Sequence, residues 1–324
     1  MHRRLFCVLI FVGSLAWSQA SLARTFVIPR HFATIQEAVD SSHVADGDTL
    51  IVERGRHAGA VLTKTLVIIG RPGAVIDSGP VFIADYPCVG DMRIGFQLGF
   101  SGEHEGSGSV IRNLVFDNLE FPVYGFEVDD VSVSDNDMRN PIQGVTNRGG
   151  RGWRIVKNHI RDMRTANGGG IGIFITDADL RPGGVVNNDI SGNAITGTLQ
   201  VSSCDFGGYD GIGVALNADF RYGALGAEAI SENLISWNKI HLISDAPSIV
   251  DVVGIVLEDS RNEEEFDPVV FDNVILFNDL RRMENPLIFA PAWLEDANFA
   301  AMNWLAHSGH EGHGKTRWNR PRER

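Results

Sequence analysis

The stretch Asn233-Leu-Ile-Ser-Trp-Asn238 is the clearest copy of a pattern that recurs through this chain of 324 residues. In each copy, two asparagines five positions apart enclose a short apolar run. The other copies are Asn113–Asn118, Asn188–Asn193 and Asn273–Asn278, with partial copies at Asn136 and Asn158. Their first asparagines advance by 23, 22, 30, 45 and 40 residues, which fits one or two turns of a unit of about 20 to 23 residues, with one insertion. This period predicts a solenoid, in which no unit buries its own apolar face.

A second pattern precedes most copies: a glycine, then alternating apolar residues, then an acid or an amide. It occurs at Gly125–Asp130, Gly144–Asn147, Gly172–Asp177, Gly213–Asn217 and Gly254–Asp259. Runs this short, rich in Val and Ile and bounded by Gly, Asn and Asp, are typical of strands rather than helices. We therefore predict a stack of short strands in parallel sheets, with rungs about 4.8 Å apart. Asparagine suits the corners because it tolerates left-handed backbone and forms amide ladders.

The Gly-Ile-x-Val and Asn-x-Ile units resemble those of right-handed parallel β-helix proteins of the pectin-lyase-like family, over about residues 25–285. The resemblance implies an all-β, single-stranded, right-handed parallel β-helix. It implies little about chemistry, because lyases, hydrolases, esterases and proteins without known activity share the repeat. The family's pectate-lyase Arg-x-Pro-x-x-Arg pattern, polygalacturonase Asp-Asp with Gly-His-Gly, and pectin-esterase signature do not occur in this sequence.

The two ends of the chain carry other signals. Residues 1–23 combine a basic start, a short apolar run and small residues, which predicts a signal peptide and a secreted or periplasmic protein. A membrane anchor would need about 20 apolar residues. We expect one β-helix domain over residues 24–306, with short capping helices at Thr34–Asp40, where Glu37 completes a capping box, and at Pro291–His307. Residues 307–324 are expected to form a flexible tail, whose His307, His310 and His313 could bind a metal.

The formal net charge of −13 argues against a nucleic-acid partner, which requires a basic contact face. It is compatible with calcium as a possible cofactor and with a neutral or cationic glycan. An anionic glycan would require basic residues concentrated locally. We expect a monomer.

Residues that end the glycine-anchored strands should form a row on the coil surface. Candidate catalytic carboxylates in this row are Asp177 and Asp179, and candidate substrate-binding residues are Asp129, Asp130 and Glu258. Neighbouring rungs would hold such carboxylates about 5 to 10 Å apart, as glycosidases require, and calcium could also bind there. The alternative is that these acids cap turns and face water.

A basic and aromatic cluster spans residues 148–159. Arg148 or Lys157 could act as a lyase base, since the resemblance implies calcium-assisted proton abstraction, and Trp153 could bind substrate. The alternative is an ordinary solvated rung.

The long interruption of the period at Ser202–Gly226 holds Tyr209, Asp210 and Tyr222. It is a candidate groove wall, with Asp210 and Asp177 as an acid/base pair. The alternative is a surface loop packed on its own aromatic residues.

Two functions remain open from the sequence: a carbohydrate-active enzyme, either a lyase or a glycoside hydrolase, and a non-catalytic polysaccharide-binding protein of the cell envelope.

After removal of the signal peptide, two cysteines remain, Cys88 and Cys204. At least four rungs, about 19 Å, should separate them. A disulfide needs Cα atoms within about 7 Å, so we expect two free thiols.

Overall fold

A computed structural model describes residues 22–87, 89–99, 105–166, 169–177, 184–203, 210–218, 229–260 and 269–305. Its strands in the first half are β1 (Thr25–Ile28), β2 (Thr49–Val52), β3 (Gly55–Ala58), β4 (Ala60–Leu62), β5 (Val67–Gly70), β6 (Ala74–Ser78), β7 (Val81–Tyr86), β8 (Gly90–Leu98), β9 (Val110–Arg112), β10 (Val115–Asp117), β11 (Phe121–Phe126), β12 (Ser132–Ser134), β13 (Asp137–Arg139), β14 (Gln143–Arg148), β15 (Arg154–Val156) and β16 (His159–Arg161). The remaining strands are β17 (Ile171–Thr176), β18 (Val185–Val186), β19 (Asp189–Ser191), β20 (Ala194–Leu199), β21 (Gly211–Ala218), β22 (Ile230–Ser231), β23 (Leu234–Ser236), β24 (Lys239–Ser244), β25 (Val252–Asp259), β26 (Val270–Phe271), β27 (Val274–Leu276), β28 (Asp279–Leu280), β29 (Asn285–Ala290), β30 (Phe299–Ala301) and β31 (Trp304–Leu305).

These strands form three long sheets that run the length of the coil. Sheet A is ordered β1-β2-β5-β9-β12-β15-β19-β23-β27-β30, and sheet B is ordered β3-β6-β10-β13-β16-β20-β24-β28-β31. Sheet C is ordered β4-β8-β11-β14-β17-β21-β25-β29, with β7 paired antiparallel to β8, and β18, β22 and β26 form a short fourth sheet. One turn of chain visits sheets A, B and C in succession, as β12, β13 and β14 do. The predicted right-handed parallel β-helix is confirmed.

The interior of the coil is built by strand alternation. In sheet A, the central residue of the three-residue strands from β9 to β27 points inward, and these residues are fully buried at Ile111, Val133, Ile155, Ile190, Ile235 and Ile275. They are partners in register from rung to rung. β-Branched side chains pack well in such a column because each meets an identical shape above and below.

The glycine signature has a steric cause in sheet C. A Cβ atom on Gly144 would lie 2.5 Å from the carbonyl oxygen of Gly172, and one on Gly172 would lie 2.6 Å from that of Gly213. The same holds between Gly213 and Gly254, at 2.5 Å. The backbones of successive rungs therefore approach too closely here for any side chain, which explains the repeat of glycine at this position.

The five-residue asparagine spacing reflects two separate ladders inside the coil. In the first ladder, each side-chain amide donates to the Oδ1 of the next asparagine at 2.9–3.1 Å, and that Oδ1 also accepts from the backbone N–H of the preceding one at 2.9–3.2 Å. Its members are Asn136, Asn158, Asn193, Asn238, Asn278 and Asn303. The second ladder contains Asn188, Asn233, Asn273 and Asn298. The interior ladders predicted from the repeat are therefore present.

Three asparagines differ from their expected roles. Asn113 and Asn118 are exposed and sit at corners with φ of +58° and +59°, so they belong to neither ladder. Asn147, which the sequence placed on the surface, is fully buried, and its amide donates to Gly150 O and to Asn188 Oδ1, both at 3.1 Å. Strand alternation turns Asn147 inward on β14, whereas its neighbour Arg148 points outward.

The two predicted capping helices differ in outcome. The α-helix α1 (Ile35–Asp40) has half of the expected capping box, since Thr34 Oγ1 accepts from Glu37 N at 3.0 Å. The Glu37 side chain accepts from Ala33 N at 2.8 Å, one residue before the N-cap. Whether α1 closes the end of the coil stays a prediction. The helix predicted at residues 291–307 is wrong, because a 3-10 helix (Ala292–Glu295) is followed by β30 and β31, which continue sheets A and B.

Several predictions fall outside the described residues. These are the signal peptide up to residue 21, the histidine-containing tail from residue 306 onward, and both cysteines of the mature chain, Cys88 and Cys204. Within the part of the chain that is described, none of the helices has the length and apolar character needed to cross a bilayer.

Candidate active site

The predicted row of strand-ending residues exists on the outer face of sheet C, with a composition that differs from the expected one. Arg148, Thr176, Asn217 and Glu258 are partners in register on β14, β17, β21 and β25. Asn217 donates its amide to Glu258 Oε2. The Arg148 guanidinium lies over the ring of Phe126, 5.5 Å from its centroid. The row therefore joins one basic residue, two polar residues and one acid, rather than a line of carboxylates.

The aspartates of this region lie beside the row. Asp177 follows β17 and is 4% exposed, and Thr176 Oγ1 donates to its Oδ1 at 3.4 Å. Asp129 accepts from Arg151 N at 2.9 Å, so it organises a turn. Asp130 is exposed at a corner with φ of +58°. For Asp129 and Asp130, this arrangement fits the turn-capping alternative.

The pairing predicted for Asp177 and Asp210 is wrong. Asp177 follows the last residue of β17, and Asp210 precedes the first residue of the neighbouring strand β21. Because β17 and β21 are parallel, with Ile171 opposite Ile212 and Thr176 opposite Asn217, the two aspartates lie at opposite ends of sheet C. In this register Asp210 is level with Gly169, eight residues before Asp177, which at about 3.3 Å per residue separates the two aspartates by about 26 Å.

Asp210 instead has Asp251 as its neighbour. Gly211 is opposite Val252 in the β21–β25 register, so the preceding residues, Asp210 and Asp251, start adjacent rungs about 4.8 Å apart. Gly211 N donates to Asp251 O at 2.7 Å, which fixes the two strand starts together. Each aspartate lies two residues before an outward-facing residue of sheet C, so both side chains point to the outer face, and both are partly exposed. We call these two residues the carboxylate pair.

The two members of the carboxylate pair have different environments. Asp251 Oδ1 accepts from Val252 N at 2.7 Å, and its Oδ2 accepts from the Asn285 side chain at 2.9 Å. These two bonds fix the orientation of the Asp251 carboxyl group. Burial raises the pKa of Asp210, and the negative charge of Asp251 raises it further. Asp210 is therefore a carboxyl group with a raised pKa, and it lies beside a carboxyl group that two hydrogen bonds hold in place.

The remaining predicted site residues lie elsewhere. Trp153 is fully buried and donates its indole N–H to Val128 O at 2.7 Å, so its predicted role in substrate binding is wrong. Its ring fills the coil interior against Gly125, where a Cβ would lie 2.5 Å away. Lys157 is exposed at the corner between sheets A and B, far from the start of sheet C. Asp179, Tyr209 and Tyr222 lie outside the described residues.

No cluster of three or more metal-ligating His, Cys, Asp or Glu side chains occurs among the residues that the structure describes. Calcium binding stays a prediction of the sequence, since the carboxylate pair supplies only two acidic residues and Ca²⁺ takes six to eight oxygen ligands.

Sequence reasoning missed Asp251 and Asn285. A signal for Asp251 was present, because Asp210-Gly-Ile-Gly213 and Asp251-Val-Val-Gly254 both place an aspartate three residues before the glycine of the repeat. Aligning the repeats on their glycines, instead of on the acids that follow, identifies the pair. Asn285 has no such signal, because Pro286 replaces glycine in its rung.

Comparisons with known proteins give distant likenesses only. No family model matches the sequence, and no curated protein matches it. Among solved structures, the chain is similar to the catalytic domain of a GH87 alpha-1,3-glucanase variant in complex with tetrasaccharides, with 12% identity over 87% of this chain and 69% of that one, at a TM-score of 0.35. A second GH87 variant complex has 13% identity over 87% and 66%, at 0.31. An alginate lyase from Paenibacillus sp. str. FPU-7 has 12% identity over 88% and 96%, at 0.34. We draw no conclusion about function from likenesses this weak.

Proposed function

We propose that this chain is an exported glycoside hydrolase that cleaves a polysaccharide, with the carboxylate pair as its catalytic groups. The observation that carries the proposal is the pairing of two outward-facing carboxylates on adjacent rungs, with the pKa of Asp210 raised and Asp251 held by two donors. A carboxyl group with a raised pKa, beside a second carboxyl group that hydrogen bonds hold in place, fits an acid and a nucleophile. Export rests on the sequence of residues 1–23.

The separation of the pair favours one stereochemical course. The backbones of adjacent rungs are about 4.8 Å apart, and two side chains that leave them in parallel would hold their carboxyl groups near the 5 to 5.5 Å of retaining glycosidases. Inverting enzymes need about 6.5 to 9.5 Å, which leaves room for a water molecule. We therefore propose cleavage with retention of configuration.

In this scheme the protonated Asp210 donates its proton to the glycosidic oxygen as the bond to the anomeric carbon breaks. The Asp251 carboxylate attacks that carbon and forms a glycosyl ester, which Asn285 helps to position by its bond to Oδ2. Asp210, now ionised, removes a proton from water, and the water oxygen displaces Asp251. The products are two shorter saccharides, and both carboxyl groups return to their starting protonation states.

Elimination by the bases predicted from the sequence has less support. Arg148 ends β14 on the far side of sheet C from the carboxylate pair, and Lys157 lies at another corner of the coil. Neither cation lies beside Asp210 or Asp251 to remove a proton from a sugar held there. Hydrolysis therefore accounts better for the residues that are brought together.

The test is a glycan panel incubated with the mature protein, with and without a chelator, following new reducing ends and the absorbance of new double bonds. We expect reducing ends without double bonds, and at least a 100-fold loss of turnover in Asp210→Asn and in Asp251→Asn. Asp130→Asn is the matched control, because Asp130 is an exposed aspartate at a left-handed corner that asparagine tolerates. Undiminished turnover in both pair variants, or products with double bonds, would contradict the proposal.

The alternative is a protein that binds a polysaccharide without cleaving it. One observation favours a binding role: Trp237 is 58% exposed beside a surface pocket at the corner between sheets A and B. Binding of a glycan without turnover under any condition of the panel would support this alternative.

A further inference from the structure

We infer that the corner between sheets A and B carries a binding site for an anionic glycan, separate from the carboxylate pair. An open cavity of about 260 Å³ lies at this corner, which we call the corner pocket. It is lined by Arg154, Val156, Lys157, Ser191, Gly192 and Trp237. The inference stands on this pocket alone, so it holds whether or not the carboxylate pair is catalytic.

The corner pocket arises from a break in a column of side chains. Lys157, Gly192 and Trp237 occupy the same corner position on three successive rungs, with φ of +56°, +65° and +57°. Lys157 N donates to Ser191 O at 3.1 Å, and Gly192 N donates to Ser236 O at 3.0 Å, which keeps the rungs in step. Because Gly192 has no side chain, a gap remains over this position between the side chains of Lys157 and Trp237, and a Cβ on Gly192 would lie 3.7 Å from Lys157 Cγ.

One wall of the gap is an exposed and well-supported indole ring. Trp237 stacks on Phe277 of the following rung, with ring centroids 4.5 Å apart and an interplanar angle of 17°. Trp304 lies on the same side, 6.1 Å from Trp237. Since Phe277 covers one face of the indole, the other face is turned toward Gly192 and the pocket. A fixed aromatic face packs against the apolar face of a sugar ring at low entropic cost.

The other wall is positively charged. Arg154 and Lys157 are both exposed, and neither forms an ion pair with a carboxylate of the described residues. Asp189 is the register partner of Arg154 on the next rung. On a protein with a net charge of −13, a cavity lined by two cations and by no acidic residue is a local exception, although Asp135 and Asp189 lie on neighbouring rungs. A ligand that satisfies both walls has a sugar ring for Trp237 and a carboxylate or sulfate for the cations.

The corner pocket and the carboxylate pair lie on different parts of the coil. The pocket is at the junction of sheets A and B, whereas the pair is at the start of β21 and β25 in sheet C. A ligand in the pocket therefore does not touch Asp210 or Asp251. A long anionic polymer held at the pocket would be retained on the protein surface between encounters with any other site.

The test measures binding of defined oligosaccharides to the full mature protein by titration calorimetry and by Trp fluorescence. The probes are a uronic-acid oligosaccharide, its methyl ester, a sulfated neutral oligosaccharide and the unsulfated form. We expect the two anionic probes to bind at least 10-fold more tightly than their uncharged counterparts, and their affinities to fall with salt. Equal affinity for charged and uncharged probes would overturn the inference.

Three variants locate the site. Trp237→Ala should weaken all probes by on the order of 10-fold, and Lys157→Gln should remove most of the preference for charge. Gly192→Phe should fill the gap and abolish binding while the protein stays folded, because Trp237 and Phe277 show that aromatic residues adopt this backbone conformation at the same corner. Lys239→Gln, an exposed lysine outside the pocket, should bind normally. Unaltered binding in Gly192→Phe would place the site elsewhere. Asp210→Asn should leave binding at the corner pocket unchanged even if it abolishes turnover.

Discussion

Replacing Asn193 by alanine tests how the interior ladder stabilises the coil. Asn193 Oδ1 accepts from the backbone N–H of Asn158 at 2.9 Å and from the Asn158 amide at 3.1 Å. Its own amide donates to Ile155 O at 2.8 Å and to Asn238 Oδ1 at 3.0 Å. In Asn193→Ala, the Asn158 amide keeps its bond to Val133 O, and Asn238 Oδ1 keeps the Asn193 backbone N–H. The Asn158 N–H loses its acceptor and Ile155 O loses one donor, and both groups are closed to water.

Two such losses, at about 1 to 3 kcal/mol each, predict a destabilisation of about 2 to 6 kcal/mol. The control is Asn113→Gly, because Asn113 is exposed and glycine keeps its φ of +58°. The control should cost less than about 1 kcal/mol. Urea unfolding followed by circular dichroism gives both values from the same transition. A cost for Asn193→Ala that is no larger than the control would refute the account of the ladder.

Three further predictions follow from individual contacts and can be checked by denaturation. Asn147→Ala should destabilise the protein by about 1 to 3 kcal/mol, because Gly150 N loses its acceptor at 2.8 Å inside the coil; a change as small as that of Asn113→Gly would contradict this. Asp210→Asn should stabilise the protein at neutral pH but not at pH 3. Because the pKa of Asp210 is raised in the folded state, ionisation of this carboxyl group lowers the stability of the protein as the pH rises from the unfolded-state pKa through the folded-state pKa, and asparagine cannot ionise. An equal gain in stability at both pH values would refute this prediction. For Asp137, burial acts to raise the pKa, but hydrogen bonds from Arg161 and Arg139 outweigh burial and hold the pKa low. Asp137→Asn should therefore destabilise the protein at neutral pH, and this destabilisation should disappear below the folded-state pKa. A destabilisation that does not depend on pH would argue against the ion pairs.

The fold could be predicted from the sequence because a β-helix repeats one local solution many times. The glycine and asparagine positions each answer a contact with the adjacent rung, such as Gly172 against Gly213 O. The C-terminal error has the same origin. Asn298 and Asn303 repeat the five-residue spacing and continue both ladders, but the apolar residues around them have a helix-like period. Contacts with the preceding rung therefore determined the local structure more strongly than local periodicity did.

The candidate site was harder to predict because it depends on register. Acids after each strand were visible in the sequence, but which acids share a rung depends on how many residues the intervening loops absorb. Asp177 and Asp210 are 33 residues apart in sequence and lie at opposite ends of sheet C, whereas Asp210 and Asp251 are 41 apart and adjacent. Strand alternation decides the rest, since it turns Trp153 inward and leaves Trp237 at an exposed corner.

The coupling between Asp210 and Asp251 is the central claim, and carboxyl titration by NMR tests it most directly. The side-chain carboxyl carbon of Asp210 is followed against pH in the mature protein and in Asp251→Asn. We predict that the pKa of Asp210 lies above its ordinary value of 3.8 and falls in Asp251→Asn, because the neighbouring negative charge is removed while the burial remains. An Asp210 pKa at or below 3.8, or one that Asp251→Asn leaves unchanged, would contradict the carboxylate pair.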